Sequence, residues 1–527
     1  MERHVLKYLE AHVPIFQNGP ISYSDDPALS SHCKSIRVCL PTRASSSTVY
    51  FWQAKISIYV YRLNSDVGVE ELGGSDDSTS DTVVACHQFM LPSVDFEGLW
   101  DSLYFDSTVK DDLINYAATA MLFAKRRVDP TLIACNRVVL LYGPPGTGKT
   151  TLCKALAQTL SIRLQGLYSA SQLVEINSHS LFSKWFSESG KLVQRLFESI
   201  EELVADKQTM VFVLIDEVES LASARQGAAS SAEPSDAVRS VNALLTQLDK
   251  LSRYENVMIL ATSNITGAID VAFLDRADMR QYIGPPSLRA RYEILRSCVL
   301  ELARVGIVRA ETTIPVSVAK GPASGDDTTP KDEEDSKRIE LQQTNYPTLL
   351  PFEKLCEELP GIVENLTESG STSAEHDANN DDSAVAAATR SVPTIVNDLI
   401  PEGATSSARV SAKLLAIALA AQGLSGRSLR KLPFQAHAFG LTEGWQDESE
   451  SGTDELGSDG DENGEKSADM ADSHIASNST QPGGPLDASI ITQRHASRDH
   501  SDSLSLSVFL NALAKAASTR QTDVSGK

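Results

Sequence analysis

Eight residues constrain this chain more than any others: Gly143-Pro144-Pro145-Gly146-Thr147-Gly148-Lys149-Thr150. They follow an apolar run, Val138-Val139-Leu140-Leu141-Tyr142, and precede Leu152, Ala155, Leu156 and Leu160 at helical spacing. A strand, a glycine loop and a helix in that order separate a phosphate-binding loop from a plain Gly/Pro turn. The glycines let backbone N–H groups turn inward on phosphate oxygens, and the helix N-terminus adds the positive end of its dipole. Lys149 is expected to reach the β- and γ-phosphates of ATP, and Thr150 to place a hydroxyl on Mg²⁺. Thr151 is counted with the same binding segment.

The second half of such a site needs carboxylates at a neighbouring strand end. Residues 211–215 form a continuous apolar run, as expected of a strand buried on both faces of a parallel sheet, and the run ends in Asp216-Glu217. Asp216 is expected in the Mg²⁺ shell, and Glu217 is expected to polarise the attacking water. Without the upstream loop the pair would read as solvated acids capping a strand. Three more residues are ordinary when taken singly. Asn264 ends the next apolar strand, where turn chemistry favours Asn. Arg276 lies among acids in Asp275-Arg276-Ala277-Asp278, and surface pairs of that kind contribute little. Arg427, after Gly426, suits a helix start.

The surrounding pattern alternates strands and helices. Residues 173–177 and 257–262 read as strands, and 188–204 as a helix. Pro234-Ser235-Asp236 opens a helix with Val238, Val241, Leu244, Leu245, Leu248 and Leu251 on one face. That alternation predicts an α/β fold, a doubly wound parallel sheet with ligand at the strand carboxyl ends. Residues 1–95 lack it. There 35–40, 55–63 and 83–91 read as strands of a small, mostly β domain. Cys86-His87 falls in one of those strands and lacks the partners a metal site needs.

The expected organisation is an N-terminal domain over 1–95, an α/β domain over 96–300 and a helical lid over 301–440. The lid is interrupted near 320–344 and 366–386, where the composition is polar, acidic and aperiodic. An acidic, serine-rich insertion over 441–504 and a C-terminal helix and tail over 505–527 complete the chain. Seven dispersed cysteines without a C-x-x-C pair read as reduced intracellular thiols. No apolar run is long enough for a bilayer, so a soluble protein is expected, with no membrane partner.

Taken together, these motifs resemble those of the AAA+ ATPases, and more closely one family, the pachytene checkpoint ATPases. The resemblance rests on GLWDSL (98–103), NRVVLLYGPPGTGKTTLCKALAQ (136–158), EINSHSLFSKWFSESGKLV (175–193) and VLIDEVESLASAR (213–225). SNITGAIDVAFLDRADMRQYIGPPS (263–287) and GLSGRSLRKLPFQAHAF (423–439) extend it. It implies that Asn264 is similar to a first sensor, Arg427 to a second sensor, and Arg276 to an arginine finger acting on a neighbouring subunit's γ-phosphate. Many AAA+ proteins carry a second finger three residues earlier, where this chain has Phe273. The resemblance also implies a homohexamer that remodels HORMA-domain proteins, often presented by an adaptor, in meiotic chromosome-axis and spindle-checkpoint control. A nuclear, chromosome-associated location follows from the same source.

Lys184, Trp185 and Phe186 lie where AAA+ unfoldases place a substrate-gripping pore loop. From spacing alone the two aromatics read as the N-terminal core of a helix. The resemblance assigns Trp185 and Lys184 to the pore; for Phe186 both readings stand. A DNA-directed AAA+ motor or clamp loader would share the nucleotide site, but a formal charge of −23 argues against a direct nucleic-acid partner. A nucleotide-gated scaffold with little hydrolysis would lack the base that Glu217 supplies.

Overall fold

The computed structural model describes residues 1–17, 19–23, 25–40, 48–66, 69–73, 83–105, 108–129, 131–177, 189–220, 235–264, 269–309, 349–364, 400–401, 403–450 and 504–525. Lys184, Trp185, Phe186 and the stretches 320–344, 366–386 and 451–503 lie outside them.

The N-terminal module contains β-strands, as expected, but its core rests as much on two helices, which corrects only the mostly β reading. Val5, Tyr8 and Leu9 repeat at helical spacing and are buried on the helix Glu2–His12. A second helix, Pro27–His32, starts at a proline and is capped by Asp26, whose Oδ1 accepts from the Ala28 and Leu29 N–H groups. Short strands β1 (Ile15–Gln17), β2 (Gly19–Ile21), β3 (Ile36–Val38) and β4 (Thr48–Tyr50) pair antiparallel as β1–β4 and β2–β3. The expected strand over 55–63 does not form. Its alternation is satisfied by packing instead, with Ile56 and Ile58 half-buried against the module core and Lys55, Ser57 and Tyr59 exposed.

Seven strands make the central sheet: β5 (Val69–Gly73), β6 (Val83–Leu91), β7 (Val138–Tyr142), β8 (Ala170–Asn177), β9 (Thr209–Asp216), β10 (Val257–Ser263) and β11 (Met279–Tyr282). Their order is β11-β7-β10-β9-β8-β6-β5, parallel from β11 to β8, with β6 antiparallel to both its neighbours. The α/β fold is therefore a mixed sheet. Residues 83–91 belong to it and not to the N-terminal domain: β6 runs beside β8 from Cys86–Ile176 to Leu91–Ser171, with Cys86 and Leu91 buried.

Both faces of the sheet are covered, as continuous apolar strands require. Val138 and Leu140 of β7 and Val211, Val213 and Ile215 of β9 face one core, roofed by the helices Ser189–Ala205 and Ser235–Leu251. Val139, Leu141, Met210, Phe212 and Leu214 face the other, under the helices Val109–Arg126 and Lys149–Arg163. Every strand that carries chemistry thus ends at one edge of a rigid slab.

Residues 295–422 and 430–527 form a second unit. In it the helix Ser406–Ala420 packs on the C-terminal helix Leu506–Ser525, burying Leu414, Leu415, Phe509 and Leu513. A two-residue parallel ladder of β12 (Val308–Arg309) and β13 (Leu504–Ser505) precedes that helix. The helix Gly426–Glu450 continues past residue 440, into the stretch expected to be insertion. Among the described residues no helix is long and apolar enough to cross a membrane.

Candidate functional site

The phosphate loop leaves β7 and re-enters regular structure at Lys149. Gly143, Gly146 and Gly148 all have positive φ. At Gly143 a Cβ would meet the Ile283 carbonyl oxygen at 2.1 Å, so the loop depends on glycine there for space as well as for conformation. Thr147 Oγ1 donates to the Pro144 carbonyl at 3.0 Å. Lys149, buried, donates through Nζ to the carbonyl oxygens of Gly143 (3.0 Å) and Pro144 (2.8 Å). Pro145 and Gly146 form the turn that follows, and Thr151 lies in the first turn of the helix. Desolvation holds the Lys149 ammonium below the ordinary lysine range. Glu219, Asp216 and Glu217 oppose that shift, and the positive charge of Arg427 adds to it.

Asp216, the last residue of β9, faces the loop. Thr150 Oγ1 donates to its Oδ1 at 2.8 Å, and Thr262 Oγ1 donates to the same oxygen. Thr262 Oγ1 also accepts from the Glu217 N–H at 3.3 Å, so one threonine on β10 spaces both acids. Glu217 has φ +57, uncommon for a residue with a side chain, and its carboxylate is exposed. Asn264 Nδ2 donates to Glu217 Oε1 at 3.1 Å. A hydroxyl and a carboxylate in contact beside a glycine-rich loop are the hard oxygen donors that fit Mg²⁺ with phosphate.

Two of the expected arginines lie in different surroundings. The Arg427 N–H donates to the Gly146 carbonyl at 3.1 Å, and a Cβ at Gly146 would meet Ser425 Oγ at 2.8 Å. The Gly-Leu-Ser-Gly-Arg element is therefore laid on the phosphate loop. Arg276 instead forms a two-pronged pair with Asp249, Nε to Oδ1 and Nη2 to Oδ2, each 2.7 Å, and Nη1 donates to the Ala272 carbonyl at 2.7 Å. Among the described residues no group of three or more His, Cys, Asp or Glu forms a metal cluster, and Cys86 is a buried strand residue.

Thr262 and Glu219 are parts of this arrangement that motif reading passed over. The signal was faint: a threonine one residue before Ser263-Asn264, and an acid two residues after Glu217.

Residues 139–285 match the family model described as ATPase family associated with various cellular activities. Residues 1–66 match the TRIP13 N-terminal domain, and 287–361 with 376–449 match the TRIP13-like AAA+ ATPase lid C-terminal domain. The pachytene checkpoint protein 2 homolog of Arabidopsis thaliana is 42% identical over 441 residues, covering 83% of this chain and 79% of the relative. The chain belongs to the pachytene checkpoint AAA+ ATPase family. The family's homolog in Oryza sativa subsp. indica is 53% identical over 307 residues, which span 58% of this chain and 64% of that relative's length. The solved structure of C. elegans PCH-2, a further member, superposes with a TM-score of 0.57 at 27% identity, covering 99% of this chain and 94% of that one. Membership makes the chain an ATP-binding ATPase with an α/β core and a helical lid.

Proposed function

We propose that this ATPase works as a homohexamer that couples ATP hydrolysis to conformational remodelling of HORMA-domain proteins, received directly or through an adaptor. Lys149 and the N–H groups of residues 146–150 hold the β- and γ-phosphates. Thr150 and Asp216 would hold Mg²⁺, which would supply charge neutralisation at those phosphates. Glu217 takes up the proton of the attacking water, with Asn264 fixing its carboxylate. Arg427 senses the nucleotide. Arg276 completes the site of the adjacent subunit. The observation that supports this division is the set of partners each group has. Thr150, Asp216, Thr262, Glu217 and Asn264 form one connected chain, whereas the Arg276 contacts with Asp249 and Ala272 lie apart from it.

Lys184 and Trp185 grip an extended polypeptide in the ring channel in this reading, and Phe186 either joins them or packs inward. The HORMA substrate, the meiotic and spindle-checkpoint roles and the nuclear, chromosome-associated location rest on family membership. Steady-state ATP hydrolysis measured alone, with duplex DNA and with a purified HORMA-domain protein tests the proposal. Stimulation by the HORMA protein is expected. Stimulation by DNA alone would point to a DNA-directed motor, and negligible hydrolysis throughout to a nucleotide-gated scaffold.

A further inference from the structure

The peptide unit joining Ser263 to Asn264 is held from both directions. Its carbonyl oxygen accepts from the Gly143 N–H of the phosphate loop at 3.2 Å. Its N–H donates to Glu219 Oε1 at 3.1 Å. This unit lies at the carboxyl end of β10: Ser263 is the last residue paired with β7 (Ser263–Tyr142), and Asn264 lies past the ladder with β9, which ends at Ala261–Ile215. A backbone donor past the end of a ladder needs another acceptor, and here a carboxylate provides it. Since a peptide unit is planar, fixing its two polar atoms fixes where the Asn264 Cα lies, and so where its side chain starts.

Glu219 reaches that position because of the turn after β9. Glu217 takes the left-handed conformation, Val218 is buried and donates to the Thr262 carbonyl at 2.9 Å, and the chain folds back over the end of β10. The same turn aims Glu217 at the Asn264 amide, 3.1 Å away. One turn therefore presents two acids to one asparagine, Glu217 to its side chain and Glu219 to its main chain.

We propose that Glu219 is a positioning residue for hydrolysis: its carboxylate orients the main chain at Asn264, so that the Asn264 amide holds Glu217 in place for the attacking water. The inference rests on the reading of Glu217 and Asn264 as water-activating and orienting groups. Glu219 acts through Asn264 and bears on the chemical step more than on nucleotide capture.

The test uses the full chain with ATP, Mg²⁺ and a non-hydrolysable ATP analogue, comparing wild type, Glu219→Ala, Glu219→Gln, Asn264→Ala and the Glu219→Ala/Asn264→Ala double variant. Loss of a positioning contact is expected to lower kcat of Glu219→Ala by about 10–100-fold, with analogue affinity and melting temperature little changed. Glu219→Gln retains an acceptor oxygen for the Asn264 N–H and is expected to recover most of that loss. The double variant is expected to be no slower than the worse single variant, because residues acting as a unit are not additive. A wild-type kcat in Glu219→Ala, multiplied losses in the double variant, or parallel loss of melting temperature and analogue binding in both Glu219 variants would overturn the proposal. A wild-type kcat in Asn264→Ala would overturn the underlying site reading as well, so the two failures are distinguishable.

Discussion

Gly143 and Gly146 show how differently two glycines of one loop constrain it. A methyl at Gly143 meets a backbone carbonyl, that of Ile283 at the end of β11, which cannot yield without moving the strand end. A methyl at Gly146 meets the Ser425 hydroxyl, which can rotate away, and the Cβ atoms of Ser425 and Arg427 at 3.2 Å, which need shift by only a few tenths of an ångström. Both positions have positive φ, and the left-handed conformation at Gly146 (φ +76) costs a side-chain-bearing residue about 1–2 kcal/mol. Gly143→Ala is therefore expected to weaken binding of a non-hydrolysable ATP analogue more than Gly146→Ala, as read by titration calorimetry. Equal losses would mean that backbone conformation alone sets the requirement. At the acids, Glu217→Gln is expected to retain ATP while hydrolysis falls by about 10²–10⁴-fold, the usual range for a lost general base. Arg276→Ala is expected to lose about 10³–10⁵ in rate if the arginine acts as a finger. Mixing Glu217→Gln with Arg276→Ala subunits locates the defect: activity equal to a non-interacting blend would count against a site shared between subunits.

At the scale of elements, β9, β10 and β7 bring the chemistry together by register. Ile215 and Ala261 are paired, and Ser263 lies beside Tyr142, so Asp216 falls level with Thr262, and Asn264 and Gly143 follow two residues further on at the same end of the sheet. In the second unit the C-terminal helix Leu506–Ser525 is a core element and not a tail. Phe509 is fully buried, on a helix packed against Ser406–Ala420. Phe509→Ala is expected to cost about 3–5 kcal/mol, as cavity-forming aromatic truncations do. It should appear as a lowered first transition in calorimetry and as faster proteolysis of the lid. An unchanged melting profile would show that the helix adds little to the unit.

For the whole molecule, the charge of −23 bears on partners and not on the fold. The stretch 451–500 is polar and acidic, so its deletion is expected to preserve basal ATP hydrolysis; loss of activity would show that the folded units need it. Trp185 separates a remodelling motor from a simple ATPase. With Trp185 in the channel, Trp185→Ala is expected to lose substrate-stimulated turnover and HORMA-protein conversion while the melting temperature holds. A tryptophan in the core would instead cost about 3–5 kcal/mol on truncation, and a fall in melting temperature together with all activity would reject the channel assignment.

Local pattern was enough to identify the nucleotide loop, the buried strands β7, β9 and β10, and the amphipathic helix Ser235–Leu251, because each is written within one short window of periodicity. It also singled out Asp216 and Glu217, which close an apolar run, whereas Asn264 is ordinary by pattern and gained its role only from the family resemblance. What it could not decide was which partner a segment chooses. The alternation of 83–91 is the same whether the strand joins a small N-terminal domain or the edge of the main sheet, and only pairing with β8 selects the latter. Residues 55–63 alternate just as well and form no ladder, because packing on the module core already satisfies them. Thr262, Glu219 and Asp249 gain their places from residues 27–46 positions away in the chain. Hydrogen bonds of that reach depend on where the sheet sets the strand ends and on how the turn at Glu217 folds back, and these are properties of the tertiary structure alone.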